Sequence, residues 1–282
     1  MQKIKHYWTL IKSLQTGLLL VTGFTGYISA RVPEIDMVTI LGMLGSLFLT
    51  ISGSTVLNMV YDRDIDSKMS RTRHRPLPSG QVSAKEAITL GSFISVAGML
   101  WAFSLSFLFG VIVTAGLLLD VLVYTMWLKR QTAWSIVWGG ISGGMPILAG
   151  RVLGIGGIDT IGLLLSFSIL LWIPTHILTF SMIYYDDYHR AGIPTFPSTY
   201  GYKKTRLMIA LSSIGAAAAI GIGIYSMGMA GGYMRLLSVL TVGILGLSMF
   251  SIYHPSEKVN FGLFKYASIY MLGSMFLLII GA

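Results

Sequence analysis

Apolar residues in this chain come in long runs, not in the alternation of a half-buried strand. Stretches near 14–30, 35–57, 88–108, 111–128, 134–150, 160–183, 207–227, 233–253 and 263–282 are nearly free of charge. Each approaches the ~20 residues that an α-helix needs to cross a bilayer. The pattern predicts nine membrane-spanning helices, the third and fourth joined by a very short turn near Phe109 and Gly110. The expected fold class is all-α, a polytopic membrane bundle. The first run carries no small-residue cleavage site, so no removable signal peptide is expected.

Composition sharpens this. Only 11% of the 282 residues are charged and 54% are hydrophobic, against about 25% charged in a soluble domain. The net charge of +9 is dealt out unevenly. With the N-terminus cytoplasmic, 17 of the 20 Lys and Arg fall on inside segments, leaving Arg31, Arg151 and Arg235 outside. The positive-inside rule then predicts N-in and C-out for nine spans. Charge shared among alternate loops is a poor footprint for nucleic acid, and no nucleic-acid partner is expected. There is no cysteine, which excludes disulfides, thiolate metal sites and a cysteine nucleophile. The 33 glycines suit close helix packing in lipid. Pro146 is expected to break the fifth run into a kinked helix.

The chemistry concentrates between Asn58 and Gly80. Asn58, Asp62 and Asp66 recur at i, i+4, i+8 and should stack on one face of a helix continuing the second span. Like charges at that spacing repel by ~0.2–0.5 kcal/mol, and a carboxylate at a membrane edge is costly to desolvate. A divalent cation removes both penalties, and Mg²⁺ favours one or two carboxylates plus substrate phosphate oxygens. Arg71, Arg73 and Arg75 follow, donors suited to phosphate. Acids to hold a metal, then cations to hold an anion, read as a diphosphate site. A solvated basic loop is the bland alternative, and it leaves the one-faced acids unexplained.

A second acidic segment, Asp186 and Asp187, closes the sixth span on the same side, and both segments lead into proline turns and glycine. The chain therefore reads as one membrane domain, 1–282, of two related halves, about 1–130 and 131–255, plus a ninth helix at 263–282. Asp186 and Asp187 are expected to act with the first segment on one diphosphate–Mg²⁺ site, or else to pair with Arg190 and Lys203 in a solvated loop. Within the spans, Asp120 and Tyr124 are i, i+4 and could satisfy each other. Lys129 and Arg130 suit a helix C-terminus or a phosphate. His176 is either a satisfied bundle histidine or a substrate contact. Lys12 reads most simply as an interfacial residue.

These motifs resemble those of the UbiA superfamily of intramembrane prenyltransferases. The likeness rests on N-x-x-x-D-R-D-I-D at 58–66, R-T-R-H-R-P-L-P-S-G at 71–80, Y-T-M-W-L-K-R at 124–130, P-T-H at 174–176 and D-D-Y-H-R-A-G-I-P-T-F-P at 186–197. It is closer to the heme-farnesylating branch, though Ile177 and Leu178 stand where that branch has aromatics after the histidine, and Ser135 where it has Asn. The resemblance implies helices around a central cavity open to lipid, farnesyl diphosphate and heme B as substrates, and Mg²⁺ as cofactor. It implies Asn58, Asp62, Asp66, Asp186 and Asp187 as metal ligands, with Asp62, Asp66 and Asp187 catalytic. Asn58, Arg63, Arg71, Arg75, Tyr124, Lys129, Arg130, His176 and Tyr188 would bind diphosphate or acceptor. A quinone precursor or a lipid is the alternative acceptor. A transporter, suggested by paired halves with Asp120 and His176 inside the membrane, is the alternative of another class.

Overall fold

The computed structural model describes residues 2–34, 36–229 and 231–282. Regular structure there is entirely helical: α1 (Gln2–Leu10), α2 (Ser13–Ser29), α3 (Met37–Tyr61), α4 (Arg63–Lys68), α5 (Ala84–Leu105), α6 (Phe107–Arg130), α7 (Ser135–Ile155), α8 (Thr160–Ile183), α9 (Tyr185–Arg190), α10 (Phe196–Ser226), α11 (Gly231–Tyr253) and α12 (Glu257–Gly281). Eight of these are long and apolar enough to cross a membrane. The first expected span is α2, whose 17 residues sit at the short end of the spanning range. Ile35, where the second apolar run begins, lies outside the described residues. Large side chains such as Phe93, Val239 and Ile269 are exposed on the outer faces, as lipid allows. The chain is a multi-pass membrane protein.

Neighbouring helices close a ring: α2, α3, α5, α6, α7, α8, α10, α11, α12 and back to α2, with α2 also packed on α7. That last contact is backbone on backbone. A Cβ on Gly26 would lie 2.0 Å from the Ile147 carbonyl oxygen, and one on Gly150 would lie 1.9 Å from that of Gly23. No side chain fits there, so glycine sets the approach of the two helices. Gly140 likewise brings α7 to the Leu170 carbonyl, 3.2 Å from its would-be Cβ, which Pro174 leaves without its helical N–H partner. Buried apolar side chains form two main clusters, one spanning Tyr27 to Val152 and the other Ala133 to Leu278, and α7 contributes to both.

Two local expectations need correction. The turn between α5 and α6 is not at Phe109 and Gly110 but at Ser106, a single extended residue, and Gly110 packs on the Phe103 ring of the hairpin. The fifth span is one helix, α7, that runs through Pro146 from Ser135 to Ile155, so the proline interrupts the run without ending it. The helix carrying Asn58 and Asp66 is not one straight rod. It bends at Asp62, whose backbone (φ −84°, ψ 3°) leaves the helical region. The i→i+4 bonds Asp62 N–H to Asn58 and Asp66 N–H to Asp62 nevertheless carry across the bend at 2.9 and 2.8 Å.

On the opposite side a buried arginine ties three elements. Arg151 of α7 forks onto Asp159 at 2.8 and 2.6 Å and donates to the Ser29 carbonyl at 2.6 Å, while Asp159 caps α8 through Gly162 N–H. Every polar end of this guanidinium is thereby satisfied by charge or carbonyl, the condition for burying it.

Candidate active site

The bend at Asp62 is what builds the acidic cluster. Turning α4 off the axis of α3 sinks both Asp62 and Asp66, 4% and 5% exposed, and leaves Asp64 between them outside. Each carboxylate has its own cation: Asp62 with Lys129, Asp66 with Arg75 at 2.8 Å, Asp64 with the fork of Arg130 at 2.7 and 2.9 Å. The Arg130 bond holds Asp64 below its ordinary pKa, outweighing the upward push of burial. Lys129 also stands 5.6 Å over the Tyr124 ring, and Arg130 4.7 Å over Tyr61.

A ladder of polar contacts joins the parallel helices α3 and α6. Ser54 donates to Asp120, Asn58 donates to Thr125 at 2.6 Å, Tyr61 donates to the Met126 carbonyl at 2.9 Å, and Lys129 closes it on Asp62. On α3 the rungs Ser54, Asn58 and Asp62 step by four; on α6 the step from Asp120 to Thr125 is five. The chain from Leu119 to Trp127 is π-helical, and an i→i+5 turn absorbs that extra residue. This corrects the expected pairing of Asp120 with Tyr124: the widened turn moves Tyr124 off the Asp120 face, and Ser54 takes the carboxylate instead.

The second segment meets the first. Asp187, 3% exposed, accepts from the Ser70 N–H (3.1 Å), the Ser70 hydroxyl (2.9 and 2.8 Å), the Arg71 N–H (3.3 Å) and Arg190. Burial pushes this carboxyl up, but the Ser70, Arg190 and Arg71 bonds more than reverse it, to about 2. Below it Ile65 and Met69 pack on Ala191, Ile193 and Tyr188. Asp186, one residue away, is exposed and is not brought to the cluster. Arg71 lies 5.2 Å over the Tyr184 ring at the end of α8, and Arg63 is exposed with no ion pair among the described residues. His176 is ringed by Trp172, Phe180 and Phe264 at 5.4, 5.1 and 4.9 Å. Its aromatics come from the i±4 positions and from α12, instead of from positions 177 and 178.

Ser70 and Thr125 went unsuspected in the sequence, for hydroxyls in a loop and in a span carry no periodic signal. Lys12 gains weight. It is a non-glycine residue in the left-handed region (φ 44°) at the start of α2, a conformation costing about 1–3 kcal/mol that clusters at functional sites. Burial pushes its ammonium down to about 8, and Arg75 and Lys129 push the same way. Arg75 and Lys129 are themselves paired with Asp66 and Asp62, which leaves Lys12 without an ion pair among the described residues.

No three His, Asp or Glu side chains are grouped closely enough to hold a metal by themselves among the described residues, so a magnesium ion here would need phosphate oxygens to complete its shell. One oxygen of Asp62 is held by Lys129, while Oδ1 is buried with no hydrogen-bond partner among the described residues. A carboxylate oxygen is not left so without cost, and a hard cation is its natural partner.

Comparison with known proteins identifies the family. The model of the UbiA prenyltransferase family matches residues 19–272. The protoheme IX farnesyltransferase of Thermofilum pendens is 41% identical, over 77% of this chain and 75% of that protein. That of Pyrobaculum islandicum is 34% identical over 92% of both. Among solved structures, a digeranylgeranylglyceryl phosphate synthase superposes with a TM-score of 0.83, covering 100% of this chain and 99% of that one at 20% identity. A UbiA homologue from Archaeoglobus fulgidus bound to GPP and Mg²⁺ gives 0.71, covering 98% and 99% at 14% identity. The chain belongs to the UbiA prenyltransferase family.

Proposed function

We propose that this chain transfers the farnesyl group of farnesyl diphosphate to a vinyl group of heme B, giving heme O. The reading of the site is carried by Asp62, a buried carboxylate with one oxygen on Lys129 and the other unpartnered. The choice of acceptor is supported by the protoheme IX farnesyltransferases that share 34–41% identity with the chain.

In this reading Asn58, Asp62, Asp66 and Asp187 would hold the metal, while the exposed Asp186 contributes charge only. Bound Mg²⁺ would supply neutralisation of the diphosphate and Lewis-acid stabilisation of the leaving group. Arg75, Lys129 and Arg130 hold the acids and, with Arg71 and Lys12, present donors where charge develops on the departing diphosphate. The C1–O bond breaks with its electron pair going to diphosphate, and the vinyl terminus bonds to C1. The carbon beside the ring then takes water and loses a proton, leaving a secondary alcohol. The apolar bundle keeps water from the allylic cation before the vinyl group reaches it. Tyr124, His176 and Tyr188 are proposed to line the tail and acceptor side, and Arg63 to add to the positive field. The active site opens to the cytoplasm in a bundle with N-terminus in and C-terminus out.

Expression in cells whose only heme is heme B, followed by mass spectrometry of extracted heme, tests this directly. A heme of farnesyl-adduct mass plus water is expected. A prenylated quinone precursor or lipid with unaltered heme would replace the acceptor, and no Mg²⁺-dependent consumption of any prenyl diphosphate would overturn the site as well.

A further inference from the structure

Beside the acidic cluster lies a cleft of about 440 Å³ between α1 and the loop that follows α4. Its polar lining is Lys5, His6 and Thr9 from α1, and Arg71, His74, Arg75 and Gln81 from the loop, with no carboxylate among its lining residues. Arg73 Nε donates to His74 Nε2 at 3.3 Å, which leaves Nδ1 as the nitrogen free to donate. His6 Nδ1 is buried with no hydrogen-bond partner among the described residues. Of the three cations only Arg75 is paired, with Asp66, so Lys5, Arg71 and two imidazoles face the cleft with no carboxylate partner among the described residues, enough for more than one anionic group. Its level is also defined: Trp8 on α1 is 58% exposed, as in the aromatic belt of a membrane interface. Arg75 joins the cleft to the acidic cluster, since it lines the one and holds Asp66 of the other at 2.8 Å.

Resting on the function proposed above, we infer that this cleft binds the two propionate carboxylates of the heme acceptor and so orients its vinyl edge into the bundle. Heme B carries its propionates on one edge and its vinyl groups away from that edge. With the carboxylates held at headgroup level by Lys5, His6 and His74, and Arg71 and Arg75 standing between them and the diphosphate, the apolar edge points down into the membrane. The reacting vinyl then meets C1 of a prenyl chain whose diphosphate is anchored next door. Charge-assisted pairing at one edge thus selects which end of a flat amphiphile enters. Quinone precursors lack a paired carboxylate edge, so the same cleft would discriminate against them.

The test compares protoheme with its dimethyl ester as acceptor, using the purified chain in nanodiscs of neutral lipid. The ester should show a KM about tenfold higher, the loss of a charge-assisted contact of ~1.4 kcal/mol. Lys5→Gln with His74→Gln should raise the KM for protoheme about tenfold, bring acid and ester together, and leave the KM for farnesyl diphosphate within about twofold. Both side chains are exposed, so the variant keeps its fold, and quenching of protoporphyrin fluorescence on binding gives a second readout. Equal KM values for acid and ester in the wild type overturn the inference, as does a variant that changes only farnesyl diphosphate KM. Activity that follows added phosphatidylglycerol in the wild type but not the variant would assign the cleft to a lipid headgroup. Failure of the wild type to farnesylate either form overturns the functional reading itself.

Discussion

Ser70 gives both its backbone N–H and its hydroxyl to the carboxylate of Asp187, 117 residues further along the chain. The two acidic segments therefore meet, and Asp187 fixes the start of the loop bearing Arg71 and Arg75. Asp187→Ala is expected to weaken Mg²⁺-dependent diphosphate binding about 10–100-fold, the range for losing a group that orients ligands. Combined with Asp62→Ala it should add little, because the two serve one site. Isothermal titration with a non-hydrolysable prenyl diphosphate measures this. Fully additive losses would mean two independent sites.

Asp62→Ala and Asp66→Ala should each lower kcat at least ~100-fold in protein that still folds, the unfolding temperature falling because Lys129 or Arg75 loses its partner, and chelation of divalent cations should abolish wild-type turnover. Asp64→Ala should be milder, since Asp64 is exposed and engages only Arg130. Turnover of Asp62→Ala near the wild-type rate in Mg²⁺ would remove the metal assignment.

What could be read from the sequence follows from what lipid demands. Backbone groups in hydrocarbon must bond within their own helix, so spans announce themselves as continuous apolar runs, and α8 falls at 160–183 as expected. The acidic residues were legible by type. Burial was not: Asp186 and Asp187 are adjacent and identical, and only the phase of α9 against Ile65 and Met69 decides which one is buried. The π turn was invisible, because a run of Leu, Val and Tyr has no hydrophobic period to reveal five residues per turn.

Asp159 offers a pH test away from the reaction. The Arg151 fork, against some burial, holds its folded pKa below the ordinary 3.8. A depressed acid contributes stability that is full above the unfolded value and is lost as pH falls through the folded value. The unfolding temperature of the wild type should therefore fall at pH below ~3.8 by more than that of Asp159→Asn, with prenyl transfer at pH 7 intact in both. An equal slope in the two proteins would show the pair to be without effect.

A reporter fused after Ala282 should be active only outside the cytoplasm, and one at the N-terminus only inside. The expectation rests on the 17 of 20 cations that an N-in arrangement of nine spans would place inside. A cytoplasmic C-terminus would mean that α2, with 17 residues, does not cross.

The five-residue step from Asp120 to Thr125 predicts where α6 can lose a residue. Ser54, Asn58 and Asp62 on α3 recur every four residues, and a straight α-helix facing them would also step by four. Removing Leu122 should return the stretch from Leu119 to Trp127 to α-helical winding while Asp120, Thr125 and Lys129 keep their partners. That variant should fold and retain Mg²⁺-dependent turnover within about tenfold, because no rung is lost and a π turn is the less favoured winding. Removing Trp127 instead shortens the step from Thr125 to Lys129 to three. It turns the ammonium about 100° away from Asp62 on a helix of ~3.6 residues per turn, stranding a buried carboxylate at a cost of roughly 3–5 kcal/mol. Turnover and unfolding temperature should then both collapse. Measured on the purified variants, a large loss from the Leu122 deletion together with tolerance of the Trp127 deletion would mean that the ladder does not set the register of α3 and α6.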